Sequence, residues 1–494
     1  MDGGERDDDD GGELRELLAR MTELRAAVVC ETDALLAEWG AAGPDGPDHA
    51  ALNLAHYLAL RRHDLSALQH RLAAFGLSSL GRSEARVLAA LDALITTLRR
   101  LCGDAAAAYP PRSMMKAGDD ALRDACARIF GDPRKGPDTR VMATMPPETA
   151  SDAALVGRLM EAGMDCARIN CAHDDADAWS RMIDNIRAAE KTLGRSCRIL
   201  MDIAGPKCRI AAVRAPEKFR LHRGDRLTIE RRLDPRTTRR IAISLSFPQI
   251  VDQLVVGAEV FIDDGKVGAR VVETSADRVE IEVFSAAPKG ARLKPGKGLN
   301  FPTTELDLSP LTVKDVADLG FIAQHADLVA YSFVQKPSDV ELLQDHLAAR
   351  RGVRPPQPLV LKIETPLAVR NLPQLILQSS RLHPTAVMIA RGDLAVELGF
   401  ARLSEIQEEL LWLCEAAHVP VVWATQVLDR FVKDGVSSRA ETTDAAMAQR
   451  ADCVMLNKGA HLAEGIALLR DILSRMDRHH AKKFARFPQL RAWT

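Results

Sequence analysis

From residue 138 onward, eight short apolar runs alternate with stretches of helical period, and no other feature constrains this chain as much. The runs cover 140–144, 166–170, 198–203, 328–333, 359–363, 386–390, 420–424 and 453–456, and they are rich in Val, Ile and Met. Strands that are apolar along their whole length are buried on both faces. With a helix between each and the next, they predict a parallel sheet. Eight is the number at which such a sheet closes into a barrel, although a doubly wound open sheet has the same alternation. The expected fold class is α/β, a (β/α)8 TIM barrel.

One connection breaks the rhythm. About 120 residues separate the third run from the fourth, and 212–297 within them are strand-like, as at 259–262, 268–273 and 278–284. That is far longer than an ordinary βα loop, so an inserted small β-barrel domain acting as a lid is expected. Long insertions at the C-terminal face of a barrel usually serve its active site.

The start of the chain has a different character. Leu14, Leu17, Leu18, Met21, Leu24 and Val28 recur at helical steps over 13–39, and a Gly/Pro/Asp stretch at 40–48 ends the pattern. Further helices are expected over 50–75 and 83–102, with Ser83 as an N-cap and Gly76 and Gly103 as stops. The organisation read from the chain is therefore a disordered acidic start at 1–12 and an all-helical region at 13–135. The barrel follows at 136–211 and 298–477, interrupted by the lid at 212–297, and a basic tail at 478–494 ends the chain.

Composition narrows the partners. A net charge of −2 argues against general attraction to nucleic acid or an anionic membrane. No uncharged apolar run reaches the roughly 18 residues of a membrane span. Nine scattered cysteines without a Cys-x-x-Cys pair suit a reducing compartment, and the acidic start is unlike a secretory leader, so a cytoplasmic location is expected.

In a barrel the reacting groups stand just beyond the strand ends of one face. The second run ends in Arg168-Ile169-Asn170-Cys171-Ala172-His173, and the third leads through Asp202 to Gly205-Pro206-Lys207-Cys208-Arg209. The fifth ends in Lys362-Ile363-Glu364, the sixth leads into Arg391-Gly392-Asp393, and the seventh into Thr425-Gln426. Two carboxylates with open positions suit Mg²⁺ or Mn²⁺, and no His or Cys cluster has zinc spacing. Excess cations around a hard ion suit a polyanionic substrate carrying phosphate and carboxylate. Neither a P-loop nor a Gly-x-Gly-x-x-Gly motif is present. Taken singly, Lys362 and Glu364 suit an ordinary strand end, Asp393 a helix cap, and Arg168 and Arg209 surface ion pairs. His49, His56, His63 and His70 recur every seven residues, about 10.5 Å per step along a helix, too far apart for one ion.

An ordered set of segments resembles the pyruvate kinase family. It comprises Ala167-Arg168-Ile169-Asn170, Asp202 with Gly205-Pro206, Asp263-Asp264-Gly265, Lys297-Gly298-Leu299-Asn300 and Leu311-Thr312-Val313-Lys314-Asp315. It continues through Ser332-Phe333-Val334, Lys362-Ile363-Glu364, Ala390-Arg391-Gly392-Asp393-Leu394, Ala424-Thr425-Gln426 and Arg439-Ala440-Glu441.

The resemblance implies transfer of phosphate from phosphoenolpyruvate to ADP. It implies Glu364 and Asp393 as holders of Mg²⁺ or Mn²⁺, Lys362 beside the moving phosphoryl group, and Arg168 on phosphate. Lys207, Arg209, Gly392, Asp393 and Thr425 would surround the substrate, with Thr425 in the proton relay. Asn170, His173 and Lys297 would lie on the nucleotide side.

The chain departs from the family at its potassium site. Ala172 and Ile203 stand at the positions of Ser and Thr ligands, Ala204 replaces a Lys, and Lys207 stands where Glu is usual. In the family's potassium-independent branch a Lys there supplies the charge, so the resemblance implies that K⁺ is not required. Pro146-Pro147 and Asn457-Lys458-Gly459-Ala460 also depart from the pattern, and no counterpart of the family's C-terminal effector domain follows residue 477. A non-catalytic phosphoenolpyruvate- or nucleotide-binding homologue and a metal-dependent oxo-acid lyase are the alternative readings. A homo-oligomer is left open.

Overall fold

The computed structural model describes residues 4–40, 48–133, 136–233, 241–482 and 484–485. The helical region contains α1 (Gly4–Glu38), α2 (His49–Arg61), α3 (Ser66–Ala74), α4 (Val87–Leu101) and α5 (Arg112–Phe130). Then come β1 (Arg140–Thr144), α6 (Ala153–Ala162), β2 (Cys166–Asn170), α7 (Ala176–Leu193) and β3 (Arg198–Ile203). The insertion supplies β4 (Ile210–Arg214), β5 (Arg226–Glu230), β6 (Ala242–Leu245), β7 (Glu259–Ile262), β8 (Val267–Ser275), β9 (Arg278–Ala286) and β10 (Leu299–Asn300).

Alternation resumes with α8 (Val313–His325), β11 (Leu328–Tyr331), α9 (Pro337–Arg351), β12 (Leu359–Ile363), α10 (Pro366–Arg370) and α11 (Leu372–Ser380). It finishes with β13 (Thr385–Ala390), α12 (Arg391–Leu398), α13 (Phe400–Ala416), β14 (Val421–Ala424), α14 (Asp429–Asp434), α15 (Arg439–Met447), β15 (Cys453–Leu456) and α16 (Leu462–Asp477).

The sheet is closed and parallel, in the order β1-β15-β14-β13-β12-β11-β3-β2. Arg140 opposite Cys453 closes the ring, and Leu328 opposite Leu200 joins the strands on either side of the insertion. Closure decides between the barrel and the open sheet. Met142, Cys166, Leu200, Val360, Met388 and Val422 fill the interior, together with Cys126, Ile129 and Phe130 of α5. That helix therefore plugs one end of the barrel. The plug lies at the strand starts, because Arg140 at the head of β1 donates to the carbonyl of Gly131 just after α5. The opposite mouth is left open for chemistry.

The inserted unit is a seven-stranded sheet in the order β10-β7-β8-β9-β5-β6-β4, with its own apolar core. An isolated antiparallel bridge between Arg209 and Gly298 joins its two outer strands at the neck. Its strands run slightly past the expected 268–273 and 278–284.

Three expectations need correction. The acidic start is not separate from the first helix, since α1 extends back to Gly4. Ser83 makes no side-chain cap; its hydroxyl instead donates to Leu80 O at 2.8 Å. Within the basic tail, Lys482 is half-buried and bound to Asp452 at 2.6 Å. The tail beyond 485, residues 1–3 and most of the 40–48 stretch lie outside the described residues. No helix among the described residues is long and apolar enough to cross a membrane.

The helical region is anchored to the barrel's outer layer by buried polar contacts. Asn53 donates to Glu84 O at 2.7 Å and to Ala416 O at 2.8 Å, and it accepts from Val87 N–H at 2.9 Å. The four histidines at seven-residue spacing do not converge. His49 stacks on His418, His56 is buried, His63 meets Glu31, and His70 is exposed. Burial, with Arg25 nearby, lowers the His56 pKa to about 4. The unfolded chain takes up that proton near pH 6.5, so stability is lost as pH falls from there toward 4. Denaturant melts should show a His56-dependent loss of about 2 kcal/mol between pH 7 and pH 5. The His56→Gln variant should lack that part of the slope.

Candidate active site

The open mouth gathers charged side chains from successive strand ends. Arg168, near the end of β2, donates through Nε to Asp202 Oδ2 at 2.8 Å and through a terminal nitrogen to Thr144 at 2.9 Å. Asp202 on β3 is 1% exposed and also accepts from Ser332 at 3.1 Å. Lys362 on β12 donates to Ser332 Oγ at 2.6 Å and lies 3.4 Å from Asp202 and 3.3 Å from Glu364. Glu364 accepts the Phe333 N–H at 2.7 Å. Lys362 and Glu364 alternate along one strand, so both point into the same cavity.

The backbone is shaped to allow this. Phe333, Thr425 and Gln426 have φ of 56°, 73° and 60°, left-handed values costly for side-chain-bearing residues. Such strain clusters where a site requires a particular backbone. Gly205 has φ +65°, and a Cβ there would stand 2.7 Å from Ser332 O. A Cβ on Gly392 would meet Thr425 Cγ2 at 2.7 Å, so the first turn of α12 fits closely against that threonine. Arg391 donates to the carbonyls of Ala424 at 2.9 Å and Thr425 at 2.8 Å, and it holds Asp444. It thereby fixes the turn that carries Thr425.

The electrostatics follow from burial and pairing. Burial alone would lower the Lys362 pKa, but Asp202 and Glu364 beside it hold the ammonium above its usual range. Burial would raise Asp202, yet Lys362 and Arg168 keep it below the ordinary carboxylate value. Glu364 is different: burial pushes it up, and Asp393 adds to the rise against the pull of Lys362. Glu364 is thus a carboxyl short of positive charge. Lys207 Nζ lies 2.9 Å from Asp393.

This donor set fits a divalent ion. Three cations, Arg168, Lys207 and Lys362, face three carboxylates, Asp202, Glu364 and Asp393, so a polyanion arriving here needs further positive charge. Among the described residues no three His, Cys, Asp or Glu converge as a closed metal cage. A hard ion on two carboxylates that completes its shell with water and substrate oxygens needs no such cage.

Asn170 and His173 line an adjoining cavity of about 240 Å³ with Thr144, Arg168, Asn457 and Lys458. Burial, followed by Lys458 and Arg209, lowers the His173 pKa and so favours the neutral imidazole. Arg209 itself is tied to Gly296 O at 2.9 Å. Lys297 does not line this cavity; it pairs with Asp263 at 2.8 Å inside the inserted unit. Lys207 meets both carboxylate oxygens of Asp393. Cys171 is fully buried, and burial pushes its thiol well above the ordinary range.

Reasoning from strand ends alone gave no role to Ser332, Asp202, Arg391, Asn300 or Asp315. Asp315 accepts the Ala204 N–H at 3.1 Å and so holds the loop after β3. All five lie within the segments that carry the family resemblance, which was the signal available for them.

A family model described as "Pyruvate kinase, barrel domain" matches residues 136–465. A protein named pyruvate kinase from Agrobacterium vitis is 34% identical over 354 residues, covering 69% of each chain. Pyruvate kinases from Bacillus licheniformis and Geobacillus stearothermophilus are 33% and 34% identical over 69% of this chain. The chain spans 57% of the length of those two relatives.

Proposed function

Because the chain belongs to the pyruvate kinase family, we propose that it transfers the phosphoryl group of phosphoenolpyruvate to ADP, giving pyruvate and ATP. The observation that carries this reading is the buried Arg168–Asp202–Ser332–Lys362–Glu364 network at the open barrel mouth, beside Asp393 and Thr425. Glu364 and Asp393 would hold Mg²⁺ or Mn²⁺, which when bound neutralises charge on the substrate.

The chain's own groups do the positioning. Arg168 and Lys362 face the phosphate, and the Lys362 ammonium stabilises charge on the phosphoryl group as the P–O bond to the enol oxygen breaks. A terminal oxygen of ADP forms the new P–O bond. The enolate left behind takes a proton at carbon, and Thr425 would pass it. Asn170, His173 and Lys458 border the space open to the nucleotide, with Lys297 reaching it through movement of the inserted unit.

We further propose that K⁺ is not needed. Ala172 and Ile203 remove two oxygen ligands, while Lys207 brings an amine side chain to the same mouth, against Asp393. A coupled assay with phosphoenolpyruvate, ADP and Mg²⁺ at constant ionic strength tests both points. Turnover should proceed without KCl and change less than twofold on its addition. A strong rise with KCl would remove the potassium claim. Ligand binding without turnover would favour the non-catalytic reading, and pyruvate released from a larger oxo-acid, with phosphoenolpyruvate left intact, the lyase reading.

A further inference from the structure

The inserted unit joins the barrel through two chain segments that run side by side. Ile210 N–H donates to Lys297 O at 2.8 Å, Leu299 N–H donates to Cys208 O at 2.9 Å, and Arg209 bridges Gly298. At the barrel end of this short ladder, each segment sends a side chain to one carboxylate. Lys207 Nζ is 2.9 Å from Asp393 Oδ1 and 3.0 Å from Oδ2. Asn300 Nδ2 is 3.3 Å from Asp393 Oδ1 and donates to Glu397 at 2.9 Å. The Lys207 stem lies against the neck itself, since a Cβ on Gly298 would be 3.0 Å from its Cε. Asn300 is 3% exposed, so this arm is part of the packed structure.

Asp393 therefore has two claims on it. It is the point where the neck is fastened to the barrel, and it is one of the two carboxylates assigned to the divalent ion. An ammonium that spans both oxygens of a carboxylate occupies the space a metal needs, and it repels a dication at that range. The two cations must compete.

We propose that Lys207 and Asn300 form a latch fastening the neck of the inserted unit to Asp393, and that a divalent cation opens the Lys207 arm. The ion displaces the ammonium from Asp393. The segment carrying Lys207, between β3 and β4, then loses its tie to Asp393, while Asn300 stays anchored to Glu397. Metal loading is thereby coupled to the position of the unit that covers the mouth, and Lys207 weakens metal binding in the absence of substrate. This inference rests on the metal assignment of the proposed function.

Mn²⁺ binding to the full chain without substrates, read by electron paramagnetic resonance of the free ion, tests it together with hydrogen exchange. Lys207→Met and Lys207→Ala should bind Mn²⁺ about tenfold more tightly than the unaltered protein, since a competing charge has been removed. In the unaltered protein, Mn²⁺ should speed amide exchange over 207–210 and 296–300. In both variants exchange there should be fast with or without the ion. Equal affinity in the unaltered protein and the variants, or neck exchange in the unaltered protein that ignores Mn²⁺, overturns the latch and leaves the proposed function standing. Failure of the unaltered protein to bind Mn²⁺, or unchanged binding by Glu364→Gln, removes the metal site and the latch with it. The exchange measurement on the unaltered protein does not depend on how the variants fold.

Discussion

Replacing Lys362 by methionine should cut turnover of phosphoenolpyruvate at least about a thousandfold and lower stability by about 3 kcal/mol. Methionine is close in volume and as flexible, so the change removes charge and leaves packing nearly intact. The lysine is 8% exposed and stands between Asp202 and Glu364. Without it, Ser332 loses a donor at 2.6 Å, and Glu364 keeps the Phe333 N–H as its one hydrogen-bond donor among the described residues. A carboxylate stripped of its buried cation costs several kcal/mol, or takes up a proton instead. Under the proposed function the catalytic loss is the larger effect, because an ammonium preorganised beside the moving phosphoryl group would stabilise charge that develops only in the transition state. Steady-state kinetics and denaturant melts read the two parts separately. A variant that keeps a tenth of the activity would show that Lys362 is structural.

The second large effect lies far from the mouth. Gly118→Ala is expected to destabilise the protein by about 3 kcal/mol in denaturant melts. A Cβ at this position in α5 would fall 1.9 Å from Ala85 O and 2.6 Å from His418 Nε2. Those two atoms are 3.0 Å apart, a contact that ties the helical region to the segment before β14. On an exposed helix the same change would stabilise by up to about 1 kcal/mol, since alanine favours helix over glycine. The sign of the result is therefore decisive. A stabilised variant would mean that α5 is not seated against the barrel, and that the barrel's plug of Cys126, Ile129 and Phe130 is loose as well.

The barrel was largely legible in the sequence because its strands are buried on both faces and so form unbroken apolar runs. The runs at 140–144, 166–170, 198–203, 359–363 and 453–456 coincide with strands. The run at 328–333 overshoots, since Ser332 and Phe333 leave β11 to bring a hydroxyl to Asp202 and an N–H to Glu364. There apolar patterning gives way to the needs of the site. The convergence of Arg168, Lys362, Glu364 and Asp393 on one face followed from strand ends alone.

The partners of those residues did not. Ser332 and Asp202 are 130 residues apart, and Lys207 and Asp393 are 186 apart. No local period records such pairings. The same holds for α5: the helical region was read only as a whole, and nothing local marks Cys126, Ile129 and Phe130 as the edge that closes the barrel. Lys482 shows the converse: charge near a chain end suggests a solvated tail, but Asp452 at the strand starts draws it in.

Phosphorus magnetic resonance follows phosphoryl transfer at this mouth directly. With the protein, Mg²⁺, phosphoenolpyruvate and ADP mixed and no K⁺ present, the phosphoenolpyruvate signal should fall as the γ-phosphorus signal of ATP rises in equal amount. A spectrum that stays unchanged, or one in which inorganic phosphate appears in place of ATP, would contradict it.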